Sequence, residues 1–428
     1  MVGRHRRAVK QIRPDGLRER ARAGTISREM KTATKASSWA RLSSTLRLRP
    51  EGDSPLLPLI IVAVAYVAFL SARLAAHDYD PSVFVMAGDK SCDPDRVSPS
   101  LTVEPRSAGY DGQWYYRLAL DPFLTQATDH GVRLPNPAYR QQRLLYPLVV
   151  RLLSLGRPSL VPAALILVNF LSLCLMGWVG GAYSRSLGRH ALWGIAFALY
   201  PGFLLSLSRD LTEVLEVSLL LSGLLLLRRQ RNSWAALLLT LAVLTRETAM
   251  LVVAAGFVVW LWPSRQGRGA KTVAWPVALI PLATFSLWQG LLYLRWGQFG
   301  LGASARRLGL PLAGLVGAYA ENADAVRGLP VLWLVEVGLL LALAAAVLLS
   351  FRASAASALE KVSWVLSAVL ALFLSRVVWV EDWAFLRAVS EFYVLGAIIL
   401  LGSPSRWRWF IFPWSLALWG FLSVTRVQ

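Results

Sequence analysis

Long apolar segments separated by short polar ones dominate the chain after residue 54. The candidate membrane spans are Pro55–Ala76, Ser159–Tyr183, Ala191–Leu207, Leu211–Leu227, Ser233–Trp262, Thr272–Leu294, Leu329–Phe351, Val362–Val380, Phe385–Leu401 and Trp409–Ser423. A helix needs about 20 apolar residues to cross the hydrocarbon core, and several segments have that length. Only helices and closed barrels satisfy every backbone hydrogen bond in lipid, and the sequence lacks the alternation of barrel strands. The pattern therefore predicts an all-α, polytopic transmembrane helical bundle.

The segment Ser233–Trp262 is longer than one crossing requires and has Arg246 and Glu247 at its middle. As a single helix it would place both charges near the bilayer centre, at a cost of several kcal/mol. As two short helices it would turn at this pair on the external side and return the basic run Arg265–Lys271 to the cytoplasm, as the positive-inside bias favours. We therefore expect two short helices here and about 11 helices in total, with a cytoplasmic N-terminus.

Composition supports a membrane protein rather than a soluble one. Hydrophobic residues make up 55% of the 428 positions and charged residues only 16%, whereas about a quarter of a soluble protein is charged. The net charge is +20, and fourteen of the 45 lysines and arginines lie within the first 54 residues. We interpret residues 1–54 as a disordered basic cytoplasmic tail that contributes to topology. The positive charge therefore does not indicate a nucleic-acid partner.

Residues 55–428 are predicted to form one transmembrane domain, in which residues 77–158 are an external loop. Under this topology most aspartates and glutamates lie outside or within the membrane, although acids have little influence on topology. Solvation of a large loop accounts for the acids from Asp78 to Asp95. A second set of acids is brought to one external rim: Asp111, Asp210, Glu213 and Glu247.

An aromatic segment around Asp111 is the first candidate site on that rim. We expect Asp111 to cap a helix that lies along the membrane surface, with Trp114, Tyr115 and Leu118 on its apolar or interfacial face. An aromatic-belt helix with a capping aspartate and no chemistry is the structural alternative.

Two arginines, Arg140 and Arg143, precede a short apolar segment that is expected to enter the bilayer as a second interfacial helix. Their guanidinium groups are suited either to binding a phosphate or to snorkelling toward lipid headgroups. The sequence leaves both open.

The remaining acids of the rim lie at two predicted turns. Asp210 and Glu213 are three residues apart, so we expect them to share one face of a helix. Glu247 follows Arg246, and the two form either a substrate-facing pair or a self-neutralising ion pair that closes a helical hairpin.

At these residues the sequence resembles the GT-C superfamily of membrane glycosyltransferases, and most closely the GPI mannosyltransferase II group and its bacterial relatives. The similar motifs, in family order, are Tyr110–Ala119, Leu144–Leu148, Arg209–Arg231, Leu244–Thr248 and Tyr293–Gly297. Tyr110 stands where Trp is usual in the family, and Glu247 stands where proline or a small residue is common. These departures leave the sugar and the acceptor open.

The resemblance implies transfer of a mannose-like hexose, or a related sugar, from a polyprenyl-phosphate donor to an external glycan, lipid or protein acceptor. It implies a bacterial plasma membrane location with the active site on the external face. Asp111 is expected to be the catalytic base. The implied substrate-binding residues are Tyr110, Trp114, Tyr115, Asp210, Glu213 and Glu247. The implied donor-phosphate residues are Arg140, Arg143, Arg246, Arg295 and Arg387.

A transporter or flippase for a lipid-linked or polar substrate is the alternative function, because charges inside a membrane bundle also mark transport paths. A non-catalytic scaffold is a third class, but it does not account for the convergence of Asp111, Asp210 and Arg246. The sequence has no metal-spaced His/Cys set and no phosphate-binding glycine loop. No cofactor is therefore indicated, and a divalent metal has no support from the sequence.

Overall fold

The computed structural model describes residues 53–261, 274–305, 307–324 and 329–426. The predicted basic tail up to residue 52 and the basic run Arg265–Lys271 lie outside the described residues.

The described part of the chain is mostly helical. Its α-helices are α1 (Leu56–Ala75), α2 (Gly112–Leu120), α3 (Pro137–Gln141), α4 (Leu145–Ser154), α5 (Val161–Ser186), α6 (Ile195–Ala198), α7 (Pro201–Leu207), α8 (Glu213–Arg228), α9 (Asn232–Thr245), α10 (Met250–Leu261), α11 (Trp275–Trp296), α12 (Leu301–Ala305), α13 (Ala313–Asp324), α14 (Leu329–Ser350), α15 (Ala358–Phe373), α16 (Arg376–Trp379), α17 (Asp382–Ala388), α18 (Ser390–Leu401) and α19 (Arg408–Thr425). Two small sheets lie between α1 and α3. They are the parallel pair β1 (Ala87–Gly88) and β2 (Val103–Glu104), and the antiparallel pair β3 (Thr128–Asp129) and β4 (Val132–Arg133).

Four helices of the described chain are long and apolar enough to cross a membrane. They are α1, residues Pro158–Ser186 that include α5, α11, and residues Val331–Ser350 within α14. The helical class and an association with membranes are thus supported by helix length and composition. The number of about 11 helices stays a prediction.

The long segment Ser233–Trp262 is broken, as its central charges predict. α9 ends at Thr245, Arg246 is extended with φ −156° and ψ 135°, and a short 3-10 turn leads into α10 at Met250. Because the extended residue interrupts the helical hydrogen bonds, the two charged side chains leave the helix axis in a turn rather than inside a continuous span.

Three segments predicted as single helices are also broken, and here the prediction was wrong. One of them is Phe385–Leu401, which is interrupted at Val389 between α17 and α18. In Ala191–Leu207 the helix stops after α6, and Pro201 begins α7. A proline lacks the N–H that would continue the preceding helix. In Val362–Val380 the helix ends at Phe373, and Leu374 instead forms an antiparallel bridge with Leu308.

The loop 77–158 packs with the start of α5 in a second hydrophobic core, which contains most of α2. Tyr115, Tyr116 and Leu118 are buried there, and Arg117 reaches Asp129 at 3.3 Å. The expectation of an interfacial face on α2 is therefore wrong, because apolar side chains of the protein surround the helix and its polar side chains bond within the protein. By contrast, α4 leaves large leucines exposed, as an interfacial helix would.

The start of α2 is packed against the turn before α8. A Cβ added at Gly112 would lie 2.6 Å from the carbonyl oxygen of Arg209 and 2.7 Å from that of Val85. Both atoms belong to backbone, which cannot move aside as a flexible side chain can. A glycine is therefore required where the helix that follows Asp111 meets this turn.

We expect Gly112→Ala to lower the thermal unfolding midpoint, because forced backbone movement costs about 1–3 kcal/mol. The matched control is Gly290→Ala within α11, where nothing lies within 4 Å of an added Cβ. Equal midpoints for the two variants in detergent would contradict the close packing.

Candidate functional site

The two charges at the break between α9 and α10 have different partners. Arg143 donates to both oxygens of Glu247, from Nε at 3.0 Å and from Nη2 at 2.8 Å. Arg246 instead forms an ion pair with Glu213 at the start of α8. The self-neutralising Arg246–Glu247 pair is therefore wrong, because each residue neutralises a charge on another element.

Arg143 is buried rather than directed toward lipid headgroups. It also donates to the hydroxyl of Tyr115 at 3.0 Å and to that of Tyr139 at 3.1 Å. On the opposite side of the pair, Ser304 Oγ donates to Glu247 at 3.1 Å. Snorkelling is thus excluded for Arg143, and the loop is tied to the helix break by a bidentate ion pair.

A second group of charges is built on Glu213. Arg387 of α17 donates to its Oε1 at 2.7 Å, so that this one carboxylate serves both Arg387 and Arg246. The other terminal nitrogen of Arg387 donates to the hydroxyl of Tyr110 at 2.9 Å. Through these bonds α8, α17 and the loop meet at one point.

Asp111 lies beside this group, in the position before the first residue of α2, but its side chain makes no capping bond. The predicted cap is therefore wrong. Its carboxylate instead lies 3.1 Å from Arg140 Nη1, and the guanidinium of Arg140 stacks 3.5 Å above the ring of Trp114. Burial acts to raise the pKa of Asp111, but the guanidinium groups of Arg140 and Arg387 outweigh it and hold this pKa below its ordinary value.

A cavity of about 580 Å³ opens where these groups meet. Its charged lining contains four arginines and three carboxylates, and its remaining lining is largely aliphatic. The polar lining residues include Tyr110, Asp111, Tyr139, Arg143, Arg246, Glu247, Ser304, Arg307, Glu381 and Arg387. The aliphatic ones include Leu251, Leu301, Leu308, Leu370, Leu374, Val377 and Val378. The site can therefore accept a ligand that is anionic in one part and apolar in another.

Two residues expected at the site lie elsewhere. Asp210 is buried in the turn before α8 at φ 50°, outside any helix, and its electrostatic partner is Arg73. It therefore does not share a helical face with Glu213, and that prediction was wrong. Arg295 donates to the carbonyl oxygens of Phe123 and Leu124 at the end of α11, away from the cavity lining.

Two aromatic residues that were predicted to bind substrate, Trp114 and Tyr115, instead contact arginines of the protein. Arg140 covers the ring of Trp114, and Tyr115 accepts a bond from Arg143 while its ring packs edge-on against Tyr146. Neither aromatic lines the cavity. Their observed contacts orient the arginines beside Asp111 and Glu247.

Sequence inspection missed Arg307 as a site residue. It follows α12, lines the cavity and lies with its guanidinium 5.6 Å from the ring centre of Tyr139. Its backbone carbonyl accepts from Ser375 N at 2.9 Å, which positions it on the break after α15. Only the arginine pair at 306–307, in a short segment between predicted spans, could have signalled it.

Among the described residues, no group of three or more His, Cys, Asp or Glu side chains could hold a metal ion. Comparison with family models, curated proteins and solved structures finds no match for this chain.

We expect Glu247→Ala to lower thermal stability strongly, because it leaves the buried charge of Arg143 without its carboxylate. Breaking a buried pair in this way costs about 3–5 kcal/mol. The comparison is Glu321→Ala, which breaks an exposed pair with Arg376 and should cost less than about 1 kcal/mol.

The double replacement Arg143→Leu/Glu247→Leu tests the reason for that loss. It should be less destabilised than Glu247→Ala, because neither charge of this pair is left buried without its partner. A double variant that unfolds as early as the single one would show that the pair is not the source of the effect.

Proposed function

We propose that the chain is a membrane glycosyltransferase of the GT-C type. In this proposal it transfers a mannose-like hexose or a related sugar from a polyprenyl-phosphate donor to a glycan, lipid or protein acceptor on the external face of the membrane. The observation that supports it most is the cavity in which an ionised carboxylate, several arginines and an aliphatic wall lie together.

The chemistry of this cavity matches the donor of the proposal. A polyprenyl-phosphate sugar has a hydrocarbon chain, a phosphate and a neutral sugar. The aliphatic wall beside Leu370 and Val377 suits the chain, whereas the arginines suit the phosphate. A volume of about 580 Å³ is within the usual range for small-molecule sites and would hold the head of such a lipid.

Asp111 is the proposed general base. Its carboxylate takes the proton of the acceptor hydroxyl while that oxygen forms a bond to the anomeric carbon. The bond from this carbon to the phosphate oxygen breaks, and the electron pair leaves with the polyprenyl phosphate. The lowered pKa of Asp111 keeps the carboxylate ionised at neutral pH, although it also makes the group a weaker base.

The arginines differ in how they are suited to the leaving phosphate. Arg143, Arg246 and Arg387 are oriented by carboxylates, so their charges are fixed before the donor arrives. Arg307 is exposed and has no ion-pair partner among the residues that the structure describes. A cation without a counter-ion loses no existing bond when it binds phosphate, so we assign Arg307 the direct contact.

A transporter is the alternative class, and buried helical carboxylates outside the cavity lining are the observation in its favour. They are Glu216, Glu336 and Glu391. Incubation of the purified protein with a polyprenyl-phosphate sugar and an acceptor separates the two classes, since only a transferase releases the lipid phosphate.

We expect Asp111→Asn to reduce glycosyl transfer by about 10²–10⁴-fold, because the amide cannot accept the hydroxyl proton. Membrane insertion should be kept, whereas the unfolding midpoint should fall, because the amide leaves the buried guanidinium of Arg140 without its carboxylate. Transfer is therefore compared at a temperature at which the variant remains folded. Retained transfer would contradict the assignment of the base.

The companion variant Arg140→Gln tests the assignment of Asp111 as the general base through the pH dependence of the transfer rate. Activity requires ionised Asp111, and a lowered pKa keeps it ionised to lower pH. Removing Arg140 should therefore raise this pKa and move the acid limb of the rate profile upward by about one pH unit or more. An unmoved limb would show that another group controls the profile.

We expect Arg307→Gln to weaken binding of polyprenyl phosphate by about tenfold or more, because a charge-assisted bond is lost. Arg157→Gln is the matched control, since Arg157 is exposed and does not line the cavity. Equal affinities of the two variants, measured with labelled lipid in detergent, would rule out Arg307 as the phosphate contact.

A further inference from the structure

Five of the seven charged residues that line the cavity are neutralised by the protein itself. Asp111 is paired with Arg140 and Glu247 with Arg143, whereas Arg246 and Arg387 share Glu213.

Two lining charges differ from these: Arg307 and Glu381. Within the described residues, neither lies within 4.0 Å of an opposite charge. One is a cation and the other an anion, and both face the same cavity.

Glu381 is held in place without being neutralised. It precedes the first residue of α17, with an extended backbone, and its side chain makes no capping bond. The indole N–H of Trp383 donates to its Oε2 at 2.7 Å. The ring of Trp383 is in turn stacked 5.0 Å from the guanidinium of Arg209. One carboxylate oxygen is thus fixed, and Oε1 has no hydrogen-bond partner within the described chain.

An ordinary surface glutamate would not be arranged in this way. Glu321, which is also exposed, forms an ion pair with Arg376 at 2.7 Å. Glu381 instead has its rotamer restricted by a neutral donor, which keeps its negative charge available. A carboxylate accepts hydrogen bonds only, so it is complementary to a ligand group that donates them.

We infer that Glu381 is a specificity-determining residue that accepts hydrogen bonds from hydroxyl groups of the donor sugar, while Arg307 binds the phosphate of the same molecule. This inference rests on the proposed function. Glu381 and Arg307, which have no counter-ion within the described protein, would thus bind the sugar and the phosphate of one donor molecule. A site built around a substrate hydroxyl discriminates strongly against a ligand that lacks it.

The test compares two labelled phosphodiester probes, mannosyl undecaprenyl phosphate and methyl undecaprenyl phosphate, which carry the same single negative charge and differ in whether a sugar is attached. The unaltered protein should bind the mannosyl probe more tightly. Glu381→Gln should reduce that affinity by about tenfold and leave the affinity for the sugar-free probe unchanged. The amide oxygen can still accept from Trp383, so the side chain keeps its position.

Three further variants identify the cause. Arg307→Gln should weaken the binding of both probes, and the exposed control Glu104→Gln should change the binding of neither. Trp383→Phe keeps a ring against Arg209 but removes the N–H, so it should lose part of the preference for the mannosyl probe. Unfolding midpoints of all variants show whether each remains folded.

The possible outcomes distinguish a failure of the role assigned to Glu381 from a failure of the proposed function. If the unaltered protein prefers the mannosyl probe and Glu381→Gln keeps that preference, the role of Glu381 is overturned while the proposed function stands. If Glu381→Gln weakens both probes equally, the residue does not recognise the sugar. If the unaltered protein binds neither probe, the proposed function fails, and the role of Glu381 fails with it.

Discussion

The arrangement of the site depends on one constraint, the presence of adjacent opposite charges within an apolar segment. Arg246 and Glu247 cannot remain in a continuous span without a large desolvation cost, so α9 ends and α10 begins anew. Once the helix is broken, the two side chains extend toward different elements. Arg246 reaches Glu213, and Glu247 reaches Arg143. The break between α9 and α10 thereby contacts α8 through Arg246 and the loop 77–158 through Glu247.

Buried ion pairs of this kind add little net stability, because desolvation offsets most of their attraction. Their value here is geometric. The bidentate contact between Arg143 and Glu247 permits one relative orientation of its partners, and the contact of Gly112 with the backbone of Arg209 permits little displacement of α2. Asp111 is consequently held at the cavity by elements far apart in the chain. Orientation of this type is what a reaction between two bound substrates requires.

Features set by neighbouring residues in the sequence, such as the energetic cost of charges in an apolar segment, could be predicted. Features set by tertiary packing, such as the partners of those charges, could not. Hydrophobic length identified the helical class, and buried charge identified the break near Arg246. The partners of these charges could not be predicted, because adjacent residues on an extended backbone point in different directions. Asp210 and Glu213 were expected on one face, but the helix begins only at Glu213. Arg307 was missed because no motif marks it, and the bridge between Leu308 and Leu374, which brings it to the cavity, joins segments far apart in the chain.

The pairing of charges also bears on how such a site distinguishes ligand from scaffold. A charge with a protein counter-ion must give up an existing interaction before it binds anything else, so its main contribution is a fixed field. A charge without one gains its full interaction on binding. In this cavity Arg143, Arg246 and Arg387 belong to the first kind, whereas Arg307 and Glu381 belong to the second.

A ligand with an anionic group and hydroxyl donors beside an apolar chain satisfies both exposed charges and the aliphatic wall at once. A purely apolar lipid would leave both charges without new bonds, and a purely polar solute would leave the wall in water. This combined requirement is the reason that we propose an amphiphilic sugar phosphate rather than a ligand of either simpler class.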